Sequence, residues 1–272
     1  MSKKYIESIN YAFNKHFSES EIVANLQKIE SLIDEKNKQI TTLDSLVKSR
    51  FNEMFSDTLN NQHGFKLEYL NNLGVLASGK SKHRPRNDPR LLGGPYPLIQ
   101  TGDVKRSDLH ITQYENTYSA FGLSQSKLWP RGTLCITIAA NIAETGILSF
   151  DACFPDSVVG FLPNKSVNVV FIRYQIEALK DYLNSKATEV AQKNLNLEKL
   201  TFVLFMVPPI KLQNQFEDFV KQVDKLKFVI QKYKRKDPHF CRSIYQLFFL
   251  LLGSFAVNVN PHLSAVSVRI EI

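Results

Sequence analysis

Sulfur is scarce in this chain, whose 272 residues include three cysteines and three methionines. Cys135, Cys153 and Cys241 are odd in number and show no Cys-x-x-Cys spacing. No secretory leader precedes them, so neither a disulfide framework nor a thiolate metal centre is expected, and a reducing cytoplasmic compartment is the default. The six histidines, His16, His63, His83, His110, His239 and His262, are scattered without metal-ligand spacing. Glycine-rich phosphate motifs are missing too: no GxxxxGK[ST] or GxGxxG stretch offers a nucleotide a backbone cradle. In "NIAETG", residues 141–146, an acid and a hydroxyl could suggest hydrolysis, but a turn between two buried strands accounts for them. The expectation is a non-enzyme, with no catalytic residue, no metal ligand and no cofactor held by this chain.

Long apolar runs are also lacking. "IYQLFFLLLGSFAVNV", residues 244–259, contains Gln246 and Gly253 and falls short of the ~20 residues a membrane span needs. It reads as a buried or partner-covered helix, with a membrane anchor the weaker alternative.

Acid is the minority charge. There are 26 acidic against 34 basic residues, a net charge of +8 and a pI near 9.2, a balance that suits a polyanionic partner. The excess is uneven. In "SGKSKHRPRNDPR", residues 78–90, the five cations Lys80, Lys82, Arg84, Arg86 and Arg90 face one acid, Asp88. Together with His83 and Asn87, and with Pro85 and Pro89 limiting the loop's freedom, they can neutralise phosphates and reach base edges. The bland alternative is a solvated surface loop. Lys105, Arg106, Tyr114, Tyr118, Lys127 and Arg131 are further candidates for the same face, which sequence alone cannot bring together.

Two stretches repeat apolar residues at heptad spacing. Ile22, Leu26, Ile29, Ile33, Ile40, Leu43, Val47 and Met54 step by alternating fours and threes, interrupted only by Lys36 and Arg50. Ser18 or Ser20 is placed to cap a helix there. The prolines of "VPPIKLQNQF", residues 207–216, favour extended geometry and then the first helical turn, so they mark a sharp helix start. Leu212, Phe216, Phe219, Val223, Leu226, Ile230 and Tyr233 follow with the same stepping, and Lys232, Lys234, Arg235 and Lys236 suit a helix C-terminus. Such seams predict two long helices that pair along their length. At ~1.5 Å per residue the first would span roughly 55 Å and the second roughly 40 Å.

Between them, "YPLIQ", "TLCITIA", "GILSF" and "SVVGFLP" read as short strands punctuated by proline and glycine, with a helix near residues 170–186. The expected fold is α+β: one compact, mixed but mostly β domain flanked by two long helices paired as an antiparallel coiled coil. Its expected parts are an N-terminal extension (1–18), a first helix (19–60), the β-rich domain (61–207), a second helix (208–236) and an atypical apolar tail (237–272).

Longer motifs carry a resemblance. "SGKSKHRPRNDPRLLGGPYPLIQTGDV", including the "IQTGDV" turn at 99–104, is similar to the opening of a target recognition domain in the specificity subunits of bacterial Type I restriction-modification systems. "GLSQSKLWPRGTLCITIAANIAETGILSFDACFPDSVVGF", residues 122–161, resembles the body of that domain, and "AQKNLNLEKL" with "VPPIKLQNQF" resembles its exit into a spacer helix. The resemblance covers roughly residues 20–236. It implies a non-catalytic subunit that reads one half of a bipartite site on double-stranded DNA from the major groove. Modification (methyltransferase) subunits would dock on the helices and methylate adenine after flipping it out, joined by a restriction subunit where one is present. S-adenosylmethionine, ATP and magnesium would then belong to those partners.

A full specificity subunit holds two recognition domains, whereas this chain holds one. Self-association would supply the second and favour a palindromic site. The alternatives are the product of a rearranged, truncated or silent cassette, and a coiled-coil interaction scaffold that reads no DNA.

Overall fold

The computed structural model describes residues 19–56, 58–139, 141–188 and 197–236; for 19, 21, 22, 186–188 and 232–236 it describes the backbone alone. The expected extension over 1–18, the apolar tail over 237–272, the Ser18 cap, the side chains of Ile22 and Tyr233 and the basic run after Gln231 lie outside the described residues.

In chain order the elements are α1 (Glu19–Phe55), β1 (Lys66–Tyr69), β2 (Gly74–Ser78), β3 (Leu92–Leu98), α2 (Thr101–Arg106), β4 (His110–Ile111), β5 (Asn116–Tyr118), α3 (Ala120–Ser124) and β6 (Leu128–Trp129). There follow β7 (Leu134–Thr137), β8 (Thr145–Leu148), β9 (Ala152–Cys153), β10 (Val158–Pro163), α4 (Val169–Ala178), α5 (Lys180–Thr188), α6 (Leu197–Thr201), β11 (Leu204–Val207) and α7 (Ile210–Lys236). The fold is α+β. The chain divides into two compact units, one of residues 45–223, the other of the helical residues up to Asp44 and from Asp224.

The larger unit is built on two sheets. One has the order β2-β10-β7-β8-β4 and the other β5-β3-β9-β6, while β1 and β11 form a separate antiparallel ribbon. The apolar runs read from sequence as strands are the central ones: β7, β8 and most of β10 are buried on both faces. Cys135 of β7, Leu148 of β8 and Val158 of β10 join Ile99, Trp129 and Phe154 in one core cluster. Trp129 and Phe154 stack at 5.2 Å and pass so close to Gly160 on β10 that a Cβ there would lie 2.7 Å from the Phe154 ring and 2.9 Å from Trp129. No larger residue fits without moving the stack.

A second core is aromatic. Phe51 and Phe55, in the last turns of α1, meet Phe171 of α4 and Phe216 of α7, with ring centroids 4.7–5.8 Å apart. All four are buried, and each contributes roughly 1.5–3 kcal/mol of burial. The helix α1 stops directly after this cluster, where Ser56 takes a positive φ of 62° and returns its amide to the Asn52 carbonyl.

Along α1 the described seam positions Leu26, Ile29, Ile33, Ile40 and Leu43 are half-buried, and Val47 is buried. On α7 the pattern differs from the apolar count. Gln213, Phe216, Val220, Val223 and Lys227 are buried, whereas Leu226 is 54% exposed and Leu212, Phe219 and Ile230 are half-buried. The buried face thus shares Phe216 and Val223 with the expected seam and elsewhere takes Val220 and two polar residues, Gln213 and Lys227. Each polar group has its compensation. Lys227 donates to Asp44 within the smaller unit and has Asp224 at 4.0 Å.

Candidate nucleic-acid interface

The cation-rich loop runs from the end of β2 to β3 and is tied to the core by backbone bonds. Gly79 and Lys80 donate to the carbonyls of Val158 and Phe154, and Lys82 donates to that of Gln125. Ser126 Oγ donates to the Lys80 carbonyl at 2.9 Å. Gly79 itself is a close-approach position, where a Cβ would lie 2.2 Å from the Phe154 carbonyl oxygen. The loop therefore sits on the turn after α3 and on the β9–β10 connection.

Its charges are partly spent internally. Asp88 is the hub: it accepts from the Arg90 backbone amide at 2.9 Å and from Arg90 Nη2 at 2.7 Å, and pairs with His83 Nε2 at 2.8 Å. The Arg90 hydrogen bonds hold the Asp88 carboxyl well below the usual carboxylate range. The Arg90 guanidinium also lies 5.5 Å over the Phe121 ring of α3, and His83 meets the edge of the same ring at 5.4 Å. Arg86 reaches Asp156 on the β9–β10 connection at 2.8 Å, and Arg84 donates to the carbonyls of Ser81 and His83. Lys80 and Lys82 are exposed, and among the described residues neither is in an ion pair. With Asn87 and the exposed faces of Arg84, Arg86 and Arg90 they form a positively charged rim on an anchored base.

The other candidates divide. Tyr118 is buried beside Leu91, Leu98 and Cys153, and burial pushes its phenol up; it supports the loop's floor and offers a ligand no open face. Lys127 lies 3.7 Å over the Trp129 ring, next to the loop's anchor. Arg131 is exposed on the turn after β6, its backbone amide held by Asp151 at 2.8 Å. Tyr114 packs edge-on against Phe150 at 5.1 Å. Lys105 donates to Asn141 at 3.1 Å, and Arg106 pairs with both Asp103 and Glu115 at 2.6 and 2.7 Å. Arg106 and Asp103 are architectural. Asp103 is buried and accepts from the Gln100 amide at 2.8 Å, so "IQTGDV" makes the start of α2.

Sequence reasoning missed Asp156, Phe121 and Gln125, which come from other elements and carry no motif signal. It also counted Asp88 as a lone dissenting acid, although its position two residues before Arg90 is the signal for an Asx-type turn. Among the described residues no cluster of His, Cys, Asp and Glu could hold a metal ion, and no helix is long and apolar enough to cross a membrane.

An α+β head that presents an anchored basic loop between long entry and exit helices defines a class that known families can be held against. Residues 69–237 match the Type I restriction modification DNA specificity domain, and the chain belongs to that family. Among solved structures it is similar to the HsdS subunit from Thermoanaerobacter tengcongensis, with a TM-score of 0.55 at 15% identity over 86% of this chain and 57% of that one. It is also similar to the Type-I restriction-modification system S subunit from M. genitalium, with a TM-score of 0.56 at 14% identity over 85% and 58%. At such identities the likeness is one of fold, and the chain spans less than three-fifths of either relative. No curated protein sequence matches it.

Proposed function

We propose that this chain is a DNA-reading specificity subunit of a Type I restriction-modification system, carrying one target recognition domain over residues 61–207. The observation that carries the reading is the family match across residues 69–237, with the exposed cations Lys80, Lys82, Arg84, Arg86 and Arg90 on an anchored loop inside it. In this reading the loop's lysines hold phosphates while arginine forks and Asn87 reach base edges in the major groove. The helices α1 and α7 pair antiparallel as a spacer and offer docking faces to modification subunits, which methylate adenine in a bipartite site. A restriction subunit adds cleavage. S-adenosylmethionine, ATP and magnesium reside on those partners, and the chain itself performs no bond chemistry. A second copy, paired through the helices, supplies the second recognition domain.

The test is reconstitution of the full chain with a cognate modification subunit, followed by mapping of methylated adenines and DNA titration at several salt concentrations. One defined bipartite sequence and an affinity that falls steeply with salt are expected. Specific DNA binding without methylation would identify a silent cassette product. Binding to protein partners but not to DNA would identify a scaffold.

A further inference from the structure

The exit from the head into α7 is tied down by side-chain amides, of which Gln213 is buried and Asn168 half-buried. Gln213, fully buried in the first turn of α7, accepts from the Asn168 backbone amide through Oε1 at 2.8 Å. Its Nε2 donates to the carbonyls of Pro208 at 2.7 Å and Ser166 at 3.2 Å. The side chain thus uses both amide protons and a lone pair, and closes back on the proline pair that begins the helix. Asn168 completes the joint from the other side. Its Oδ1 caps α4 by accepting from the Val170 amide at 2.9 Å, while its Nδ2 donates to Asn214 at 3.0 Å and Glu217 at 2.8 Å. The N-terminus of α4 is therefore bonded to two successive turns of α7, on one helical face. Because α4 is itself packed through Phe171 against Phe55, and through Gln175 onto both the amide and carbonyl of Met206 in β11, the reference is rigid. Apolar packing is non-directional, whereas these directional bonds restrict roll and slide of the helix.

We propose that Gln213 and Asn168 are positioning residues that set the direction in which α7 leaves the recognition domain, and through it the spacing of half-sites the protein accepts. This rests on the function proposed above. Neither residue contacts DNA in this scheme, so each acts on spacing and leaves half-site sequence unchanged.

Two variants separate the joint from simple stability. Gln213→Leu keeps the volume and removes every bond. Asn168→Asp keeps the α4 cap, loses the donor and places a carboxylate against Glu217. The reconstituted complex is assayed for methylation on DNA in which the unread segment between half-sites is shortened or lengthened by one and two base pairs. Both variants are expected to cut the discrimination between the best and neighbouring spacings by at least tenfold on unchanged half-sites. Amide exchange in the first two turns of α7 should rise at least tenfold in the full-length chain, with β7 and β10 unchanged. Undiminished spacing discrimination overturns the proposal. If the wild-type complex methylates no defined sequence, the functional reading falls by itself, and exchange in α7 that stays at the wild-type rate then overturns the joint.

Discussion

Arg86 holds Asp156 with a single guanidinium nitrogen, Nη2, placed 2.9 and 2.8 Å from its two carboxylate oxygens across 70 residues of sequence. The pair links the basic loop to the β9–β10 connection, and the acid masks a cation on the surface proposed to face DNA.

Replacing Asp156 with Asn removes the mask. Both side chains are about half exposed, so the expected loss of stability is below about 1 kcal/mol. DNA affinity of the assembled complex should rise, and its salt dependence should steepen by up to roughly one phosphate contact, about 0.9 in the log–log slope. Fluorescence anisotropy over a salt series reads both, and weaker binding would assign Asp156 an ordering role instead.

Lys80 and Lys82 are exposed and in no ion pair among the described residues; Arg84 has none there either, but its guanidinium donates to the carbonyls of Ser81 and His83. The double change Lys80→Gln, Lys82→Gln should leave the melting temperature within error, because no side-chain bond is lost. It should weaken binding about equally on cognate and unrelated DNA and reduce the salt slope by up to roughly 1.8. Binding that is unchanged removes the loop from the interface.

Gly160→Ala tests the core beneath the loop. The added methyl would meet Phe154 and Trp129 at 2.7 and 2.9 Å, in a stack with no exposed edge. A loss of about 1–3 kcal/mol in urea unfolding is expected. A neutral result would show that the stack can part.

The Asp88 hub predicts a pH response. Arg90 lowers the folded-state pKa of the carboxyl below its ordinary value of 3.8. A depressed carboxylate pKa contributes stability that is present above the unfolded value and is lost as pH falls through the folded one. The loop should therefore keep its shape at pH 4 and loosen only in more acidic solution. Carboxyl carbon shifts of Asp88 followed by NMR should titrate below pH 3.8, and Arg90→Gln should return the midpoint towards that value.

Much of the fold was legible because burial writes itself into local pattern. The runs that became β7, β8 and β10 are continuous apolar segments since both faces of those strands are covered. The long helices showed as heptad steps, and Pro208 and Pro209 marked the start of α7 within a residue. The two-residue strands β4, β6 and β9 were not legible, because a bridge of that length is created by its neighbour and not by its own composition. In the candidate interface the cations could be counted, but Tyr118 in the core beside Cys153 and Arg86 on Asp156 could not be foreseen, since those partners arrive from distant segments, and Arg106 is held by a near neighbour, Asp103, together with Glu115 of the following loop.

By itself the sequence determined the class of this protein: long motifs in order, an α+β texture, two helical seams and a basic loop, each a property of neighbouring residues along the chain. Tertiary structure alone decided which face of α7 turns inward. Counting apolar residues selects Leu226, yet Lys227 is buried because Asp44 reaches it, and Gln213 is buried because Asn168, Ser166 and Pro208 satisfy it. A buried polar group is stable only through partners that folding delivers, so its position is written in no stretch of sequence.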